Sequence, residues 1–203
     1  MTKSLLDELS ASPPNVLRIR ALCRDFPGLI SSGSTGVRIR VWSLLLLGPD
    51  ASAVGGDEVL PAPTEPAGEQ HVLEADVRRT RSEVERFRSD RYRTVTQHVL
   101  QLFCVRHRLM YKQGMNEVVA PFIALSPPPK GNMMAYTLFE AFLFRYLERF
   151  LCVDDSSFLF RAFRLFHVLC LYHEPALAHH LQVRLRNGGV MNTYQPCIPL
   201  IPQ

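Results

Sequence analysis

Closely spaced cysteine pairs are missing from this chain. Its five cysteines (Cys23, Cys104, Cys152, Cys170 and Cys197) are odd in number and widely scattered, with no C-x-x-C. That pattern argues against a disulfide framework or a zinc knuckle, and a reducing compartment suits it better. Long apolar runs are missing too. The most apolar stretch, 158–172, is broken by Arg161, Arg164 and His167, and it falls short of the roughly 18–20 residues that a membrane span requires. At the N-terminus, Asp7 and Glu8 stand where a signal peptide needs an apolar run. The sequence therefore reads as cytoplasmic, with no membrane segment. Neither G-x-x-x-x-G-K-[ST], G-x-S-x-G nor H-E-x-x-H occurs, which excludes a P-loop nucleotide site, a nucleophile elbow and a zincin centre. The seven histidines give no ligand spacing. His179 and His180 are adjacent and point to different faces, while His167 and His173 lie six apart, so no metal site is expected. No stretch sustains apolar–polar alternation and no internal repeat appears, so the expected fold is all-α.

What is present suits one globular domain of 203 residues, 47 % apolar and 21 % charged. The net charge of +4 is too mild to argue for nucleic acid. Locally the balance is uneven. Residues 78–112 hold ten basic side chains against Glu83, Glu85 and Asp90, whereas 48–70 hold five acids and no base. Among the clustered arginines of the basic stretch, Arg78 to Arg93, only Phe87 and Tyr92 are interleaved as stacking aromatics, so a nucleic-acid partner is not expected.

Helical spacing recurs along the chain. Residues 1–14 read as an N-terminal segment. Val16, Ile19, Leu22 and Cys23 mark a helix over 15–25 with Asn15 as its cap. After a Ser/Gly-rich turn, Arg38 to Leu47 form a short helix stopped by Gly48-Pro49. Residues 49–70, rich in Pro, Gly, Ala and acids and without a period, read as a flexible surface insertion. Leu73, Asp76 and Arg79 then share one helical face. Further helices are expected over 94–110, from Met115 to Ile123 with Pro121 kinking or loosening one turn, and over 133–151, 156–172 and 175–186. The second-last follows Asp154-Asp155-Ser156 as a cap, and the last begins at Pro175. The tail 195–203 carries three prolines and apolar residues without a period, so the domain reads as cut short at its C-terminal end.

The chemistry-bearing stretch is Tyr111-Lys112-Gln113-Gly114-Met115-Asn116. It presents a glutamine at the mouth of a helix, where free backbone N–H groups could meet an anion. Two other spaced elements precede it, Arg38-x-x-x-Trp42 and Leu73-x-x-Asp76-x-x-Arg79. The lone tryptophan, Trp42, reads first as a core anchor.

In this order the three elements resemble the R-x-x-x-W, I-x-x-D-x-x-R and Y-x-Q motifs of the TBC domain, the catalytic domain of GTPase-activating proteins for Rab-type small GTPases. Tyr172-His173-Glu174-Pro175-Ala176-Leu177 is similar to the family's Y-H-D-P-x-L segment, and the resemblance covers about residues 15 to 194. It implies a multi-helix TBC-type domain that stimulates GTP hydrolysis in trans. Arg79 would be the arginine finger and Gln113 the glutamine finger, with Asp76, Tyr111, Arg38 and Trp42 as supports. The implied partner is a Rab-family GTPase, which itself binds the GTP and Mg, so the domain needs no cofactor. Contact with endomembranes would run at most indirectly, through that GTPase. Two departures stand out. Arg81-Ser82-Glu83 follow Thr80 where the family usually has F-P, and the proline-rich tail replaces a tryptophan-bearing segment and further helices. The second departure keeps open a reading of another class, a TBC-like scaffold that binds a GTPase or trafficking partner without catalysis.

Overall fold

The computed structural model describes residues 2–25, 35–49, 60–126, 128, 132–148 and 157–187. Among these it contains ten helices and no strand, so the fold is all-α. They are α1 (Thr2–Ser10), α2 (Val16–Asp25), α3 (Thr35–Leu47), α4 (Gln70–Arg79), α5 (Glu85–Arg88), α6 (Asp90–His107), α7 (Met115–Leu125), α8 (Asn132–Tyr146), α9 (Ser157–His173) and α10 (Pro175–Asn187). The chain divides into two units, Met1–Cys152 and Val153–Gln203. Several features of the sequence reading lie outside the described residues: Ser31 to Ser34 of the early turn, 50–59 of the insertion, the Asp154-Asp155-Ser156 cap, Cys152, Cys197 and the tail.

In the first unit, α1, α2 and α3 share a small core of Leu5, Leu9, Ile19, Val41 and Leu44. Helix α1 has few apolar residues, but Leu5 and Leu9 are four apart and so fall on one face. Both are buried. Asn15 caps α2 as expected, its Oδ1 accepting from the Arg18 N–H at 3.0 Å. Arg40 donates to the Leu9 carbonyl at 2.6 Å and ties α3 to α1. Helix α3 begins at Thr35, before Arg38, and ends where the Gly48 N–H donates to the Leu44 carbonyl.

The larger core lies between α4, α6, α7 and α8. Phe103 packs on Phe139 with ring centroids 5.2 Å apart, and Trp42 meets Phe122 edge-on at 5.5 Å. Trp42 is only partly buried, packed against this core rather than inside it. Helix α6 starts at Asp90, four residues ahead of the expected start at 94, and buries Val95, Val99, Leu102 and Phe103. Helix α7 runs through Pro121 from Met115 to Leu125. The hydrogen bond that proline cannot donate would have ended on the Glu117 carbonyl. Both residues are exposed, so water can serve that carbonyl.

The insertion reading needs correction for its second half. Leu60 and Ala67 are buried members of the main core. His98 Nε2 donates to the Pro61 carbonyl at 2.9 Å, and the Gln101 amide to the Glu65 carbonyl at 2.8 Å, so residues 60–69 lie along α6. A segment without secondary structure can join a core when side chains satisfy its backbone carbonyls. Replacing Leu60 by alanine should therefore cost about 2–3 kcal/mol of unfolding free energy in a denaturant titration, as for a buried leucine. A freely moving surface segment would lose almost nothing.

In the second unit α9 and α10 form a hairpin. The Glu174 N–H donates to the Cys170 carbonyl, the Ala178 N–H donates to the Glu174 carbonyl, and Pro175 opens α10 where no amide donor is needed. Ala178 is buried, and the Gln182 amide donates to His167 Nε2 at 3.0 Å. Among the described residues Cys23, Cys104 and Cys170 are free thiols, and burial pushes the Cys104 thiol up to about 12. No described helix is long and apolar enough to cross a membrane.

Candidate functional site

The D-x-x-R spacing puts Asp76 and Arg79 one helical turn apart at the end of α4. Their environments differ sharply. The Asp76 side chain is 1 % exposed and that of Arg79 is 60 % exposed. Arg79 Nη2 donates to Asp76 Oδ1, so the carboxylate fixes the root of a guanidinium whose other donors face solvent. Asp76 Oδ2 accepts from the Tyr111 hydroxyl at 2.9 Å. That phenol has one proton and two oxygens within reach, the carboxylate and Asn116 Oδ1 at 3.2 Å. The charged and nearer acceptor takes it. Burial first, and then the Asp76 hydrogen bond, hold the Tyr111 hydroxyl well above the usual phenol range, so it stays a donor.

Asn116 and Thr80 complete the network, and motif spacing alone gave neither a role. Asn116 is buried, 4 % exposed. Its Nδ2 donates to Thr80 Oγ1 at 2.9 Å, while its Oδ1 accepts from the Gly114 N–H at 3.2 Å. The Thr80 hydroxyl donates to the Asp76 carbonyl at 2.8 Å. These donor and acceptor roles agree with one another and fix the orientation of the Asn116 amide. The signal for Asn116 was its place as a buried-face polar residue between Met115 and Val119 in an apolar helix. Thr80 falls four residues after Asp76, where a hydroxyl can reach back to the carbonyl.

Gln113 sits just before Gly114, which precedes α7 with φ 101°, a conformation that glycine adopts without strain. The Gln113 side chain is exposed. The helix mouth is not the open anion site that the sequence suggested. The Gly114 N–H goes to Asn116 Oδ1, the Met115 N–H to the Lys112 carbonyl and the Glu117 N–H to the Gly114 carbonyl. Those groups are spent on shaping the loop. A second tie fixes its other end. The Tyr111 N–H donates to the Gly68 carbonyl at 3.2 Å, and Gly68 pairs with Met110 in an isolated parallel bridge. A Cβ at Gly68 would stand 3.3 Å from Met110 Cγ, so glycine permits the approach.

The structure thus brings Asp76, Arg79 and Tyr111 into one hydrogen-bonded group and sets Gln113 two residues past Tyr111. It does not bring Arg38 into that group. Arg38 Nη2 donates to Thr35 on its own helix at 3.5 Å, and its Nε is buried without a partner among the described residues. Trp42 packs edge-on against Phe122 of α7. Where the F-P pair was absent, Arg81 Nε instead meets Glu117 Oε2 at 2.8 Å and joins the turn after α4 to the first turn of α7. Both side chains are about half exposed, so the pair is worth at most about 1 kcal/mol.

The all-α fold agrees with the family comparison. Residues 35–191 match the Rab-GTPase-TBC domain family model, and the chain belongs to that family. Among curated proteins it is similar to the "TBC domain-containing protein kinase-like protein" of Gallus gallus, Mus musculus and Homo sapiens, with 29 % identity over 126 residues in each case. The matches cover 62 % of this chain and 13 % of each relative, so the chain corresponds to a small part of those proteins. No solved structure matches.

Proposed function

We propose that this domain stimulates GTP hydrolysis by a Rab-type small GTPase, with Arg79 as arginine finger and Gln113 as glutamine finger. Family membership supports the partner class, and the hydrogen-bonded group around Asp76 supports the residue roles. It links two motifs 35 residues apart in sequence through Asp76 and Tyr111, and leaves the ends of Arg79 and Gln113 exposed.

Phosphoryl transfer from GTP requires charge compensation on the phosphate oxygens and a positioned attacking water. The partner contributes GTP and Mg. In this reading the guanidinium, anchored to Asp76 through one nitrogen, extends its remaining N–H groups to the phosphates. The Gln113 amide accepts from the attacking water with its oxygen and donates to a phosphate oxygen with its nitrogen. Asp76 and Tyr111 make no contact with nucleotide. They pre-set the arginine, which lowers the ordering cost at the moment of reaction.

Screening GTP-loaded Rab-type GTPases by single-turnover hydrolysis tests the proposal, and at least one should respond. On a responsive GTPase, Gln113→Ala should lower the accelerated rate by about 10²-fold, the usual penalty for a misplaced reacting group. Full activity in that variant would remove Gln113 from the mechanism. Saturable binding without acceleration anywhere in the panel would favour the scaffold reading.

A further inference from the structure

The arginine before the finger has a setting of its own. Arg78 is exposed and lines an open crevice of about 520 Å³ between α4 and the start of α6, together with Glu74, Val77, Asp90, Arg93 and Thr94. Neither arginine is committed to a strong internal partner. Arg78 has no carboxylate partner among the described residues. Arg93 approaches Asp90 only at 3.8 Å, and that aspartate side chain is fully exposed, so water and salt screen the pair. Arg93 Nε is buried without a hydrogen bond. Of the two acids at the rim, Glu74 already accepts from the Gln70 amide at 2.9 Å. The neighbouring segment exposes Arg86, Arg88 and Arg91 against Glu83 and Glu85, around the buried Phe87.

We propose that this crevice is a docking site for an acidic side chain on the surface of the GTPase that receives Arg79, with Arg78 and Arg93 as its two cations. The inference rests on the proposed function, because a globular partner that receives Arg79 covers roughly 800 Å² of the surface around it, enough to reach the exposed Arg78. A carboxylate suits the site. Two guanidinium groups offer planar paired donors, and Thr94 adds a hydroxyl that can donate to an oxygen. Charges at the edge of an interface chiefly govern encounter and selectivity rather than the chemical step. Arg78 and Arg93 are therefore specificity determinants, and the neighbouring arginines steer the approach.

The test is charge reversal with Arg78→Glu and, separately, Arg93→Glu, measured on a responsive GTPase across a salt series. Arg78 is exposed, so its variant leaves the fold intact and carries the test if Arg93→Glu is unstable. Arg78→Glu should lower kcat/KM by about 10-fold at low salt, flatten its salt dependence and leave kcat within about twofold. Arg78→Lys keeps the charge and loses the paired donors, so it should keep the wild-type salt slope while retaining only part of kcat/KM. Unchanged kcat/KM and salt slope in Arg78→Glu would overturn the docking site while leaving the fingers standing. If wild-type protein binds GTP-loaded GTPases without accelerating hydrolysis, the finger reading falls alone, and weaker binding by Arg78→Glu would still support the crevice. Absence of all GTPase binding would overturn both. Loss of binding to phosphatidylserine vesicles with unchanged GTPase kinetics would assign the basic surface to membranes and also overturn the proposal.

Discussion

Replacing Arg79 by alanine should reduce the accelerated rate of GTP hydrolysis by about 10³-fold or more, the range that separates GTPases with and without an arginine finger. That corresponds to at least about 4 kcal/mol of transition-state stabilisation. The fold should survive, because Arg79 is largely exposed and leaves Asp76 with its Tyr111 hydrogen bond. Arg78→Ala is the matching control, expected to stay within about threefold in kcat at saturating GTPase because a rim charge acts on encounter. Arg79→Lys is the sharper probe. It keeps the charge and loses the planar fork, so a nearly complete loss would show that bidentate geometry rather than charge alone is required. Single-turnover rates with circular dichroism of each variant decide the matter, and a fully active Arg79→Ala would remove the arginine from the mechanism.

The largest effect on stability should come from Asp76→Ala. This carboxylate is buried between two motifs, and its loss leaves the Tyr111 hydroxyl, itself in a residue only 4 % exposed, with Asn116 Oδ1 at 3.2 Å as its remaining acceptor. The hydrogen bonds to a charged acceptor, worth about 1.5–3 kcal/mol each, are lost, and a small buried gap replaces the side chain. The expected destabilisation is about 2–4 kcal/mol, or roughly 5–12 °C in Tm for a chain of this size. Asp76→Asn keeps an oxygen for Tyr111 and should lose about half as much. The two variants separate fold from function. If the carboxylate serves only as a structural acceptor, Asp76→Asn should accelerate hydrolysis like wild type. If it also aims Arg79, the folded Asn variant should show a lower kcat.

The helices were legible because their apolar residues recur at helical spacing, and the site because its residues recur at motif spacing. Asp76 and Arg79 read as one face three residues apart, and the structure places them in contact. Other features depended on partners far along the chain. The packing of residues 60–69 rests on His98 and Gln101, more than thirty residues away, and nothing in a Pro/Gly-rich composition announces those bonds. Helix α1 has too few turns for its period to stand out from chance. The role of Asn116 came from Thr80 and Gly114 together, a three-point constraint that no pairwise spacing contains. The helix-mouth reading failed for a related reason. The N–H groups it counted as free were claimed by neighbours whose orientation depends on backbone shape, with Gly114 at positive φ.

The Gly68–Met110 bridge has a consequence for timing. It joins the residue two before α4 to the residue just before Tyr111, while the side-chain network joins the far end of α4 to the same loop. A loop held at both ends cannot release one motif and keep the other in place. Thermal opening would therefore withdraw Arg79 and Gln113 together, and the domain would alternate between a state that offers both groups and a state that offers neither. On the proposed function, a GTPase would then meet both groups or neither, with no half-assembled site to wait on.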